Sequence, residues 1–102
     1  VSNEFDSNRF NDFLEEIREE ARAEGPEAEA ELAFFEERYR LARELMVRRR
    51  QLKLTQARLA KKSGVGQAEI SKIESGRSNP TLETLSVLAK ALDCRLSLVP
   101  VG

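Results

Sequence analysis

Between Ser7 and Glu24 the side chains Phe10, Phe13, Leu14, Ile17 and Ala21 recur every three or four residues among acids. That spacing puts one apolar stripe on an otherwise acidic α-helix. Ser7 or Asn8 is placed to cap its start. Gly25-Pro26 then breaks the pattern, because glycine accepts the left-handed position that ends a helix and proline suits the first turn of the next. A second periodic stretch, residues 27–51, contains no glycine or proline and spaces Leu32, Phe35, Tyr39, Ala42 and Met46 as a helix would. After Lys53 the elements shorten. Thr55 is a good cap for a helix over Gln56–Ser63, residues 63–66 make a tight turn, and residues 67–75 form a helix stopped by Gly76. Ser78-Asn79-Pro80 reads as a loop. Thr81 caps a last helix, to about Leu92, whose stripe is Leu82, Leu85, Leu88, Ala89 and Leu92. Residues 95–99 alternate apolar and polar before Pro100, the pattern of a short strand.

Composition narrows the classes. The 102 residues suffice for one domain and an appendage. No apolar run is long enough to span a membrane and no secretory leader is visible, so a cytoplasmic location is expected. Cys94, the single cysteine, has no partner for an internal disulfide, carries no cationic cluster beside it, and is expected to be a small buried hydrophobe. With no histidine, and with acids spread over helical faces rather than around a glycine loop, the chain is not expected to be an enzyme or to need a metal or other cofactor. The net charge of −1 conceals a division. Residues 1–37 hold thirteen acids and three bases, a balance of −10, whereas residues 38–102 hold five acids and fourteen bases, a balance of +9. Two domains are therefore expected, an acidic helical extension over residues 1–37 and a basic domain over residues 38–102. The basic part suits an anionic partner and the acidic part a cationic one, unless the two simply neutralise each other.

In the basic part, Leu59, Ala60, Val65, Ile70 and Ile73 form the inward set of two short helices crossing at a turn. Removing that set leaves Gln67, Ala68, Ser71 and Lys72 facing outward. Glutamine can make a paired contact to adenine, lysine favours guanine, and alanine packs on a thymine methyl.

These positions carry a resemblance. Thr55-Gln56, Leu59-Ala60, Gly64-Val65, Ile70-Ser71, Ile73-Glu74-Ser75-Gly76 and Asn79-Pro80 are similar, in residue and spacing, to the helix-turn-helix of the lambdoid Cro and repressor proteins, the XRE family. The resemblance covers about residues 41–98. It implies a sequence-specific repressor that binds double-stranded operator DNA as a homodimer on inverted half-sites. It assigns Gln67, Ala68, Ser71 and Lys72 to the major groove, Gln56, Arg77 and Asn79 to the DNA backbone, and Arg49 with Glu74 to a structural ion pair. Gly66 departs from the pattern, standing where serine or threonine usually caps the recognition helix. The expected fold is all-α, a lambda-repressor-like helix-turn-helix domain with an N-terminal helical extension and a short C-terminal strand. The last helix, the strand and the N-terminal helices are all candidate dimer surfaces.

An acidic arm is counterproductive on a DNA binder unless it has another task. The stretch from Leu41 to Gln56, followed by a C-terminal strand with no effector domain, is similar to the HigA-type antitoxins. That resemblance implies a small basic toxin, an mRNA-cleaving enzyme, as second partner and a shared promoter as target. Phe10, Phe13, Leu14 and Ile17 would then meet a toxin groove, and Glu16 and Glu20 its cations. The alternative, compatible with the first, is that Phe10, Phe13, Phe34 and Phe35 build an antiparallel helical hairpin or a dimerisation bundle, as in a stand-alone repressor whose N-terminal arm dimerises.

Overall fold

The computed structural model describes residues 7–101. The first six residues of the acidic extension and Gly102 lie outside them. Five helices follow in order: α1 (Ser7–Glu24), α2 (Pro26–Gln51), α3 (Gln56–Ser63), α4 (Gln67–Glu74) and α5 (Leu82–Ala91). Ser7 and Asn8, the two candidate caps, both lie within α1. The chain divides into two units, residues 1–36 and 37–102.

In the first unit, α1 closes at Gly25, whose φ of +123° is open to glycine and whose N–H bonds Ala21 O at 3.1 Å. Its carbonyl accepts from Glu29 N at 3.1 Å, so one residue ends α1 and starts α2. The chain folds back far enough that Arg18 meets Glu36 at 3.2 Å while also reaching Glu15. These ion pairs are exposed and contribute little. Ala21 is buried and Leu14, Ile17 and Leu32 are half-buried, whereas Phe10 and Phe13 are exposed.

The second unit holds the core. Leu45, Leu59, Ile70, Ile73, Leu88, Ala91 and Leu92 form its buried cluster, bordered by Leu41, Leu52, Leu54, Ala60, Val65 and Leu85. Local signals set its helix ends. The Thr55 hydroxyl accepts from Arg58 N at 3.0 Å to start α3, and Gly64, at φ +81°, ends it with N–H to Ala60 O at 2.8 Å. Thr81 likewise starts α5, accepting from Thr84 N at 3.1 Å. After α4, Gly76 N bonds Ile73 O and Arg77 N bonds Lys72 O, both at 3.0 Å, with Gly76 at φ +74°. This is the paired-bond stop that satisfies a helix's last carbonyls.

A methyl at Gly76 would lie 3.4 Å from Cδ2 of the Tyr39 ring, an ordinary contact, so it is the left-handed φ that restricts the position. Gly76→Ala is therefore expected to destabilise the second unit by about 1–2 kcal/mol through left-handed strain. A urea midpoint equal to wild type would refute this.

Several expectations are corrected. The residues expected as a C-terminal strand, 95–99, form no strand, and the described chain is helical throughout its regular structure. A strand needs a ladder partner for its backbone groups, and among the described residues no segment pairs with this one. After Asp93 turns left-handed (φ +57°) the tail is exposed, Leu98 almost completely so. Cys94 is exposed rather than buried, its thiol 3.4 Å from Leu92 O. On α2 the buried positions are Ala42, Leu45 and Arg49, while Phe35 and Tyr39 are exposed. Leu82, counted in the α5 stripe, is 71% exposed.

Candidate nucleic-acid interface

The candidate site is built on α4. Ile70 and Ile73 are almost fully buried, which fixes the rotation of the helix about its axis. At 100° per residue that rotation turns Ala68, Ser71 and Lys72 away from the core and leaves Gln67, about 90° from the mean direction of the two isoleucines, at the edge of the same face. Gln67, Ala68 and Lys72 are exposed and Ser71 is half-buried. The four side chains nominated for base reading thus share one open face. At the start of α4, Gly66 has no side chain to accept from the first-turn N–H groups.

The other end of α4 is tied to α2 through a buried network. Arg49 Nε and Nη2 donate to Glu74 Oε2 and Oε1 at 2.7 and 2.8 Å, a two-pronged pair whose side chains are 10% and 5% exposed. Arg49 Nη1 donates to Leu54 O at 2.8 Å. Gln56 Nε2 donates to Glu74 Oε1 at 3.1 Å. Gln56, nominated as a phosphate contact, therefore spends one amide donor on the ion pair. Burial pushes the Glu74 carboxyl up, but hydrogen bonds from Arg49 and Gln56 and the charges of Arg49 and Arg50 outweigh it and hold it below the usual range. The Glu74 bond raises Arg49 against the opposing effect of burial.

Because folding lowers the Glu74 pKa, the unfolded chain takes up this proton first on acidification. Its stabilising contribution is complete above the unfolded value of about 4.3 and is lost as pH falls through the lower folded value. Urea midpoints should therefore decline below about pH 4, and Glu74→Gln should remove part of that decline. An acid limb identical in the variant would show that other carboxylates cause it.

Arg77 and Asn79 are exposed in the loop after α4. Arg77 Nε donates to Ser75 Oγ at 2.8 Å, and that hydroxyl donates to Lys72 O at 3.0 Å. Ser78 Oγ donates to Glu69 Oε2 at 2.9 Å. Sequence reasoning passed over Glu69 and Ser78. Nine residues separate them, and neither helical periodicity nor a turn code pairs positions at that distance.

In the first unit, Phe10 and Phe13 are 44% and 56% exposed, Glu16 and Glu20 are exposed, and Leu14 and Ile17 are half-covered. The nominated partner-binding residues thus differ in access, the two phenylalanines and two glutamates lying outside. Among the described residues no cluster of His, Cys, Asp or Glu is placed to hold a metal ion. No described helix is long and apolar enough to cross a membrane.

A helix-turn-helix family model matches residues 45–99. The chain is 39% identical over 99 residues to an uncharacterised HTH-type transcriptional regulator of Haemophilus influenzae, covering 97% of this chain and 84% of that protein. It is 41% identical over 80 residues to Antitoxin HigA1 of Mycobacterium tuberculosis, covering 78% of this chain and 54% of the antitoxin. The chain therefore spans about half the length of that antitoxin. A solved HipB–O2 20mer complex superposes with a TM-score of 0.58 at 35% identity, covering 64% of this chain and 90% of the other.

Proposed function

The chain belongs to the XRE-type helix-turn-helix family, and from that premise we propose that it is a DNA-binding transcriptional repressor serving as the antitoxin of a toxin–antitoxin pair. The observation that carries the DNA-binding part is the open face of α4, with Ala68, Ser71 and Lys72 on the side away from buried Ile70 and Ile73 and exposed Gln67 at its edge. Those four side chains read base edges in the major groove. Gln56, Arg77 and Asn79 hold the flanking phosphates, which fixes register without reading sequence. Affinity comes mainly from the surplus of bases in residues 38–102.

One such helix reads only a few base pairs, so the protein acts as a homodimer on inverted half-sites about one helical turn apart. Leu82 and Val87 on α5, and Leu98 and Val99 in the tail, are exposed apolar side chains that a second copy would cover.

The antitoxin role rests on the first unit and on the extent of one relationship. The match to Antitoxin HigA1 takes in 80 residues of this chain, more than residues 45–102 contain, so it reaches into the segment ahead of the helix-turn-helix. Apart from that match, the first unit is acidic and carries exposed Phe10 and Phe13 beside Glu16 and Glu20, a surface suited to a small basic protein. The relationship to the Haemophilus influenzae regulator supports a second reading, a stand-alone repressor whose first unit dimerises.

Co-expression of the tagged chain with its flanking genes separates the two. A small basic protein should co-purify and be lost when residues 1–24 are deleted. Recovery of a homodimer alone, still binding its own promoter, would leave the repressor and remove the toxin.

A further inference from the structure

We infer that Glu69 is a positioning residue for sequence discrimination, pinning the phosphate-contacting loop to the recognition helix through Ser78. The inference rests on the DNA-binding reading above.

Residues 77–80 connect α4 to α5 and carry Arg77 and Asn79. Both ends of this segment are fixed by backbone geometry. The Gly76 stop, with Arg77 N on Lys72 O, sets its beginning, and the Thr81 cap sets its end. Between those anchors, Ser78 Oγ donates to Glu69 Oε2 at 2.9 Å in a half-buried setting. Glu69 sits in the first turn of α4, immediately after Gln67 and Ala68. The bond therefore joins the middle of the loop to the end of α4 that presents Gln67 and Ala68. A second chain, Arg77 to Ser75 to the Lys72 carbonyl, ties the same loop to the last turn, beside Lys72. Phosphate-facing and base-facing side chains are thus held as one body.

The consequence is a coupling between two kinds of contact. Phosphate contacts carry no sequence information but fix how deep and in what register a helix sits in the groove. If the loop can shift against α4, Arg77 and Asn79 still find phosphates while Gln67 and Ala68 lose their alignment with base edges. Discrimination then falls further than general affinity. The carboxylate also lies beside a segment that must approach the anionic backbone. A carboxylate there opposes indiscriminate binding, so its charge and its bond to Ser78 act in the same direction and must be separated by substitution.

Glutamine at this position separates bond from charge, since its amide oxygen still accepts from Ser78. Wild type, Glu69→Ala, Glu69→Gln and Ser78→Ala would be measured on the tightest duplex selected from a random library and on a scrambled duplex, over a range of salt. Helical content and urea midpoints would be recorded for each. Glu69→Ala and Ser78→Ala should each lower the ratio of selected to scrambled affinity by roughly fivefold to tenfold per half-site, the loss expected for one directing hydrogen bond. Their double variant should lose no more than either alone. Glu69→Gln should keep the ratio near wild type while binding both duplexes more tightly. The inference is overturned if Ser78→Ala keeps the wild-type ratio, or if Glu69→Gln loses as much as Glu69→Ala. If selection from the library yields no preferred sequence for the wild type, the DNA-binding reading itself fails, and this inference with it.

Discussion

Replacing Glu74 by alanine should cost the second unit about 3–5 kcal/mol, the largest loss expected from any single polar substitution in the chain. The magnitude comes from what remains behind rather than from the net worth of the pair. Arg49 stays buried with its Nη1 on the Leu54 carbonyl, its charge no longer matched, and the Gln56 amide loses its acceptor. The guanidinium cannot escape by deprotonating, because its pKa lies far above any usable pH. A unit of this size has a total stability on the order of 3–10 kcal/mol, so the loss takes about a third of it at the least. Urea titration by circular dichroism measures this directly. A loss below about 1 kcal/mol, the range of surface ion pairs, would mean that water reaches the site. Changing both partners, Arg49→Met with Glu74→Leu, removes the stranded charge and should recover most of the stability. The double variant therefore shows whether burial of an unpaired ion, and not lost attraction, is the cause.

The chain displays its short-range codes openly, and its longer-range choices poorly. Thr55, Gly64, Gly76 and Thr81 act within four or five residues of themselves, and the ends of α3, α4 and α5 fall beside them. The inward face of α4 was equally legible, because Ile70 and Ile73 leave one orientation in which both are covered. On α2 two apolar sets fit the same period, and sequence cannot rank Phe35 and Tyr39 against Leu45. Packing decides it, with Leu45 in the core cluster and the Tyr39 ring against Gly76. The tail shows the opposite failure. Alternation in residues 95–99 is a property of the segment, whereas a strand is a property of two segments. The bonds from Ser78 to Glu69 and from Arg48 Nε to Leu92 O, at 2.9 and 3.0 Å, depend on tertiary geometry alone. No local code announces them.

On the DNA side the largest effect is expected from Lys72→Ala, because a dimer counts each substitution twice. A lysine reading a base edge contributes about 1–3 kcal/mol, so two half-sites together lose about 2–6 kcal/mol, from roughly thirtyfold to beyond ten-thousandfold in operator affinity. Lys72 is exposed on the face with Gln67, Ala68 and Ser71, and its backbone carbonyl accepts from both Ser75 Oγ and Arg77 N. Its ammonium has the reach for a guanine, and equally for a phosphate, and the two differ in how the loss is distributed. A base reader's removal relaxes preference at one position in each half-site and changes the scrambled duplex little. A phosphate contact's removal weakens every duplex alike and lowers the salt slope by about one for each lysine removed. Titrations of the selected duplex, its single-base variants and a scrambled duplex across a range of salt separate these cases. Uniform loss with a shallower slope would move Lys72 to the phosphate contacts and leave Gln67, Ala68 and Ser71 as the reading surface. Loss confined to one base pair per half-site would fix both the identity of that pair and the depth at which α4 enters the groove. Gln67, five residues earlier on the same face, would then have to contact a base pair further along the same half-site.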